Sequence, residues 1–88
     1  MILFVGNLNK LTTETDLKTL FSRFGEIVKS KIMVDKITRR SRGYAYVHMS
    51  EAQDAESAVN KLNSSSFMQS WIIVGRASTR QLDLIEWT

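Results

Sequence analysis

The chain has no cysteine. That excludes disulfides and thiolate metal sites, and it fits a reducing compartment. It has one histidine, His48, and no convincing nucleophile–base pair. Its four glycines, Gly6, Gly25, Gly43 and Gly75, are scattered rather than gathered into a phosphate-binding loop. No apolar run approaches the ~18 residues of a membrane span, and Ile2 to Val5 is too short for a signal-peptide core. The expectation is a protein that is not an enzyme, uses no metal or cofactor, takes no small-molecule substrate and does not enter a membrane. An intracellular place follows, nucleus or cytoplasm alike.

What is present describes one small domain. Of the 88 residues, 43% are apolar and 24% charged, ordinary values for a globular chain. A chain of this length buries about 60–65% of its unfolded surface, enough for one core. The net charge of +3 permits a polyanionic partner without demanding one.

The most informative stretch is Arg42-Gly43-Tyr44-Ala45-Tyr46-Val47-His48-Met49. Strict alternation makes it a strand. Ala45, Val47 and Met49 face one side, suited to a core; Tyr44, Tyr46 and His48 face the other. Two tyrosines and a histidine are an odd choice for water. They suit the stacking of planar bases, beside a cation that can hold a phosphate. Leu3-Phe4-Val5-Gly6-Asn7-Leu8 alternates likewise, with Phe4 opposite in sense to Leu3 and Val5.

Between and after these stretches the chain reads β-α-β-β-α-β. Strand one is about Ile2 to Gly6. Thr13-x-x-Asp16 resembles a capping box, and Leu17, Leu20, Phe21 and Phe24 recur at helical spacing. Gly25 then reads as the left-handed residue that ends the helix. Strand two is about Ile27 to Val34, with Val28, Ile32 and Val34 expected inward and Lys29, Lys31 and Met33 on the aromatic side. A basic turn carries Lys36, Arg39 and Arg40 into strand three. Ser50-x-x-Gln53 reads as a second capping box, for a helix whose inner face is Ala55, Ala58, Val59 and Leu62. Asn63 to Ser66 reads as a polar loop. Strand four is about Ser70 to Arg76, with Ile72 and Val74 inward. Trp71 and Ile73 are then outward, unless the register slips by one residue and reverses all four.

The two aromatic stretches resemble the hexamer and octamer motifs of the RNA recognition motif (RRM) family. The octamer runs basic, Gly, aromatic, small, aromatic, Val, any, aromatic. This chain departs at the last place, where Met49 stands on the core side. The resemblance spans roughly residues 2 to 77, and the spacing of about forty residues between the motifs is also the family's. It implies an α+β, ferredoxin-like sandwich: a four-stranded antiparallel sheet in the order 4-1-3-2, with two helices on one face. The domain is residues 1–77, with 78–88 a C-terminal tail that could form a short helix or an interaction segment. Strands one and three would lie side by side and bring Phe4, Tyr44 and Tyr46 together on the open face. By this resemblance Phe4 and Tyr46 would each stack a base, Tyr44 would meet a sugar or base edge, and Arg42 would pair with a phosphate.

Other positions are expected at the RNA surface from their place alone: Lys31, Met33, His48, Arg39, Arg40 and Asn7. Several have an equally plain reading. Asn7 can brace a loop, His48 can be solvated at a strand end, and the arginine turn can be a solvated loop. Trp71 and Ile73 extend the open face with apolar surface. They suit either base contact or a protein partner, as do Leu82, Leu84, Ile85 and Trp87 in the tail. The expected ligand is single-stranded RNA, or single-stranded DNA. The alternative is a protein-interaction module of the same fold that holds a protein partner or a second copy through Trp71, Ile73, the helices or the tail.

Overall fold

Alternation in the sequence becomes a sheet, and the two amphipathic stretches become helices on one side of it. The computed structural model describes residues 1–85. Trp87 and the Leu84 side chain, both named above in the apolar tail, lie outside what is described. The elements are β1 (Ile2–Gly6), α1 (Glu14–Phe21), β2 (Ile27–Val34), β3 (Ser41–Met49), α2 (Ala52–Leu62), β4 (Ser65–Phe67), β5 (Ser70–Arg76) and α3 (Thr79–Leu84). The sheet is antiparallel, in the order β2-β3-β1-β5-β4. No helix among the described residues is long and apolar enough to cross a membrane.

β1 and β3 occupy the centre with Phe4 directly opposite Tyr46, and Leu3 opposite Val47. Leu3, Val5, Ala45, Val47 and Met49 therefore share the covered face. They close a core with Leu17, Leu20 and Phe21 of α1, Ala55, Ala58 and Leu62 of α2, and Ile72 and Val74 of β5. Full burial of side chains such as Leu17 and Phe21 contributes about 1.5–3 kcal/mol each. Thr13 caps α1 as the sequence suggests: its Oγ1 accepts from Asp16 N at 3.1 Å, and Asp16 Oδ2 accepts from Thr13 N at 2.9 Å.

The structure corrects four local expectations. The polar loop after α2 contains a strand, so the sheet has five strands rather than four. β4 folds back on β5 through a two-residue turn, Met68 (φ 51°) and Gln69 (φ 66°), with Ser64 (φ 61°) also left-handed. Two successive left-handed residues give the twist that hairpins prefer, but here without the Asn-Gly pair that announces it. Next, Ser50 does not cap α2. The N-cap is Glu51, without a side-chain bond, and Ser50 N instead donates to Glu26 O at 3.0 Å.

Gly25 does not end α1 either. The helix closes at Ser22, and Gly25, at φ 158°, is where the chain passes under α2. A Cβ there would collide with the Asp54 carboxylate, so close approach and not helix termination requires the glycine.

In β2, Val28 and Val34 are exposed instead of inward. The β2–β3 register shifts between Ile27 and Lys29, and again between Ile32 and Val34. Each bulge breaks the parity on which inward and outward were assigned. Ile27, Ser30 and Ile32 take the inner positions, opposite Met49, Val47 and Ala45. The tail segment takes one of the forms expected of it, a short helix, α3, capped by Ser78, whose Oγ accepts from Gln81 N at 3.1 Å.

Candidate nucleic-acid interface

Both long helices, α1 and α2, pack on one face, and the opposite face of β2, β3, β1 and β5 is free of them. Phe4, Tyr44 and Tyr46 meet there. Phe4 lies 5.8 Å from each tyrosine, tilted by 35° to Tyr44 and by 63° to Tyr46; the two tyrosines are 6.2 Å apart and nearly perpendicular. These distances and tilts are those that aromatic quadrupoles favour. The cluster is separated from the main core by the sheet itself.

Tyr46 differs from expectation in one respect. It sits on the open face but is only 4% exposed. Phe4 faces it across one strand boundary and Lys31 across the other, with Tyr44 beside it. Burial, and to a smaller degree Tyr44, raises its phenol pKa above the usual value. Tyr46 is the floor of the ring cluster, and Phe4 and Tyr44, both half-buried, are its accessible parts.

Two glycines shape the surface around Phe4, a role that their scatter in the sequence did not reveal. A Cβ on Gly6 would lie 2.7 Å from Phe4 Cε2, so the Phe4 ring rests over position 6. Gly75 pairs with Phe4 across β1–β5, and a Cβ there would meet nothing within 4 Å. Free space therefore adjoins the ring on its β5 side. The only signal for this was that both glycines interrupt alternating strands on the aromatic side.

Cations rim the β2–β3 half. The Arg42 guanidinium carbon is 5.9 Å from the Tyr44 ring centre, within range of a cation–π contact. Gly43 (φ 82°) lies in the second bulge, and its carbonyl accepts from Leu8 N at 2.8 Å, which ties β3 to the loop after β1. Lys31, Met33, Val34, Lys36, Arg42, Tyr44 and Tyr46 line a cleft of about 510 Å³. Lys36 was not among the RNA-contact positions expected from sequence. Arg39 and Arg40 are exposed in the adjoining turn and do not line the cleft.

The remaining expected positions separate. His48 is on the open face opposite Lys29 and half-buried. Burial, then the Met1 ammonium and Lys29, hold its pKa below the ordinary imidazole value. Asn7 has a bracing role: its Nδ2 donates to Trp71 O at 2.8 Å, clasping the end of β1 to the start of β5. Trp71 and Ile73 lie outward, 67% and 55% exposed, while Ile72 and Val74 are buried. They are outside the ring cluster, on the β5 side of β1. Among the described residues no group of three or more His, Cys, Asp or Glu could hold a metal ion.

Comparison with known proteins identifies the family and fold. The profile of the RNA recognition motif family matches residues 3–72. The chain is 35% identical over 83 residues to the "Putative RNA-binding protein RbpD" of Nostoc sp., covering 94% of this chain and 88% of that one. It is 39% identical over 77 residues to the glycine-rich RNA-binding protein GRP2A of Sinapis alba, covering 88% of this chain but 46% of that protein. Among solved structures, the RRM of Rna15 with bound RNA (GU) superposes with a TM-score of 0.79 at 28% identity, covering 89% of this chain and 83% of the other.

Proposed function

The chain belongs to the RNA recognition motif family, and from that premise we propose that it binds single-stranded RNA across the open face of its sheet, with bases on the aromatic cluster and the sugar–phosphate backbone along the β2–β3 rim. The observation that carries this reading is the meeting of Phe4, Tyr44 and Tyr46 on the face opposite α1 and α2, with Arg42 against Tyr44. Phe4, with open space at Gly75, offers the first stacking platform. Tyr44 meets a second base or a sugar edge. Tyr46 supports both rings from beneath. Lys31, Lys36 and Arg42 supply cations to the phosphates, with Arg39 and Arg40 as outer attraction. Stacking and phosphate pairing do not distinguish sugars, so single-stranded DNA of the same length is a weaker second ligand, lacking the 2′-hydroxyl.

Arg42→Ala tests the phosphate contact. Affinity should fall for all RNA sequences alike, and the slope of log K against log salt should flatten by ~0.7. An unchanged slope means that Arg42 touches no phosphate.

A second reading, binding to a protein, is favoured by one observation. Trp71 and Ile73 place adjoining apolar side chains in solvent beside the cluster, and exposed apolar patches mark interaction surfaces. Sedimentation separates the readings. The RNA-binding account expects a monomer whose Trp71 fluorescence changes on adding RNA, measured in a Trp87→Phe background with one indole left. A dimer that Trp71→Ala makes monomeric, with no response to RNA, favours the protein module.

A further inference from the structure

The turn between β2 and β3 is organised around one carboxylate. Asp35 Oδ1 accepts from Ile37 N at 2.8 Å and from Thr38 N at 2.9 Å. Asp35 N donates to Arg40 O at 2.8 Å, and Asp35 O accepts from Arg39 N at 2.8 Å. Thr38 Oγ1 accepts from Arg40 N at 3.3 Å. Arg39 closes the turn at φ 65°, a left-handed conformation that disfavours an L side chain. The segment is thus tied into one shape although it is exposed throughout.

On charge alone, Asp35 is the wrong residue for this place. It stands among Lys36, Arg39, Arg40 and Arg42, where a carboxylate weakens the attraction of a polyanion. Its hydrogen bonds give it another role. The turn it closes joins Val34 and Lys36, on one side of the cleft, to Arg42 and Tyr44 on the other. Hydrogen bonds from the Thr38 and Ile37 amides are the main causes that hold its pKa below the ordinary carboxylate value, and Arg42 adds a smaller electrostatic share. The carboxylate therefore stays ionised and keeps its acceptor role throughout the physiological range.

We propose that Asp35 is a positioning residue for RNA: it holds the β2–β3 turn so that Lys36 and Arg42 flank the cleft beside Tyr44, preformed to receive the backbone of one nucleotide. This rests on the RNA-binding reading above. A preformed turn need not be ordered when RNA binds, and that saving appears directly as affinity.

Asp35→Ala and Asp35→Asn separate geometry from charge, since each raises the net charge by one above +3. Alanine removes the acceptor; asparagine keeps an Oδ1 in its place. The probe is a fluorescein-labelled pool of short single-stranded RNA of mixed sequence, titrated at several KCl concentrations. Thermal melting checks the fold, and the Ile37 and Thr38 amide shifts report the turn. Asp35→Ala should bind about three- to ten-fold more weakly than wild type, with a flatter salt slope, despite its extra positive charge. Asp35→Asn, with the turn amides at their wild-type shifts, should bind at least as tightly as wild type. If both variants bind more tightly, the positioning role is overturned and Asp35 acts only through charge. If Asp35→Asn keeps the turn but binds as poorly as Asp35→Ala, the role is also overturned. A wild-type protein that does not bind the pool at all sinks the RNA-binding reading itself, a separate result.

Discussion

Phe4→Ala should weaken binding of single-stranded RNA by about 1–3 kcal/mol while leaving the protein folded. Phe4 is half-buried, on the face opposite the core, and its ring rests over Gly6 with free space towards Gly75. Its loss removes a stacking surface and two ring contacts, but it opens no cavity among Leu3, Val5, Ala45 and Val47. Fluorescence anisotropy with a labelled oligonucleotide measures the first effect and a thermal melt the second. A folded Phe4→Ala protein that binds like wild type removes the β1 platform from the account.

Tyr46→Ala should do more. Its side chain is nearly inaccessible and touches both other rings. Its truncation should cost about 2–4 kcal/mol of folding stability, from lost apolar burial together with lost aromatic pairing. RNA affinity should also fall, because Phe4 and Tyr44 lose their common support. Tyr46→Phe separates the contributions: it keeps the ring and should retain most of the stability. Urea unfolding midpoints for the three proteins give the comparison. Wild-type stability in Tyr46→Ala would mean that the ring is not the floor of the cluster.

The different behaviour expected of these two aromatics was not legible in the sequence. Alternation placed Phe4 and Tyr46 on the same face correctly, because the paired centres of β1 and β3 are regular from Ile2↔His48 to Val5↔Ala45. How deeply each ring is covered depends on its neighbours across two strand boundaries, and a single strand does not reveal those. Val28 and Val34 show the same limit more sharply. Parity holds only between bulges, and both valines lie where the β2–β3 register shifts.

The β4–β5 hairpin carries no turn signal in the sequence, for a chemical reason. Its turn uses Met68 and Gln69 in left-handed conformations that normally call for Asn or Gly. Tertiary ties hold it instead: Asn9 Nδ2 donates to Met68 O at 2.9 Å, and Asn7 Nδ2 to Trp71 O at 2.8 Å. Ser50 does not cap α2 because the helix starts one residue later than the Ser50-x-x-Gln53 spacing requires, with Glu51 at the N-cap. By contrast, the inner faces of α1 and α2 and the outward turn of Trp71 and Ile73 followed from periodicity alone, since no bulge interrupts them. The roles of Gly6 and Gly75 became visible only when register set both beside Phe4.

The central claim is that RNA lies on the open face of the sheet. Its most direct test is a titration of isotope-labelled protein with short single-stranded RNA, followed through backbone amides and aromatic side chains. The account predicts saturating shifts at Phe4, Tyr44, Tyr46, Lys31 and Arg42. It predicts none at Lys18 of α1 or at Glu56 and Lys61 of α2, on the helix-covered side. Shifts confined to the helices, or none at the three rings under saturating RNA, would contradict it.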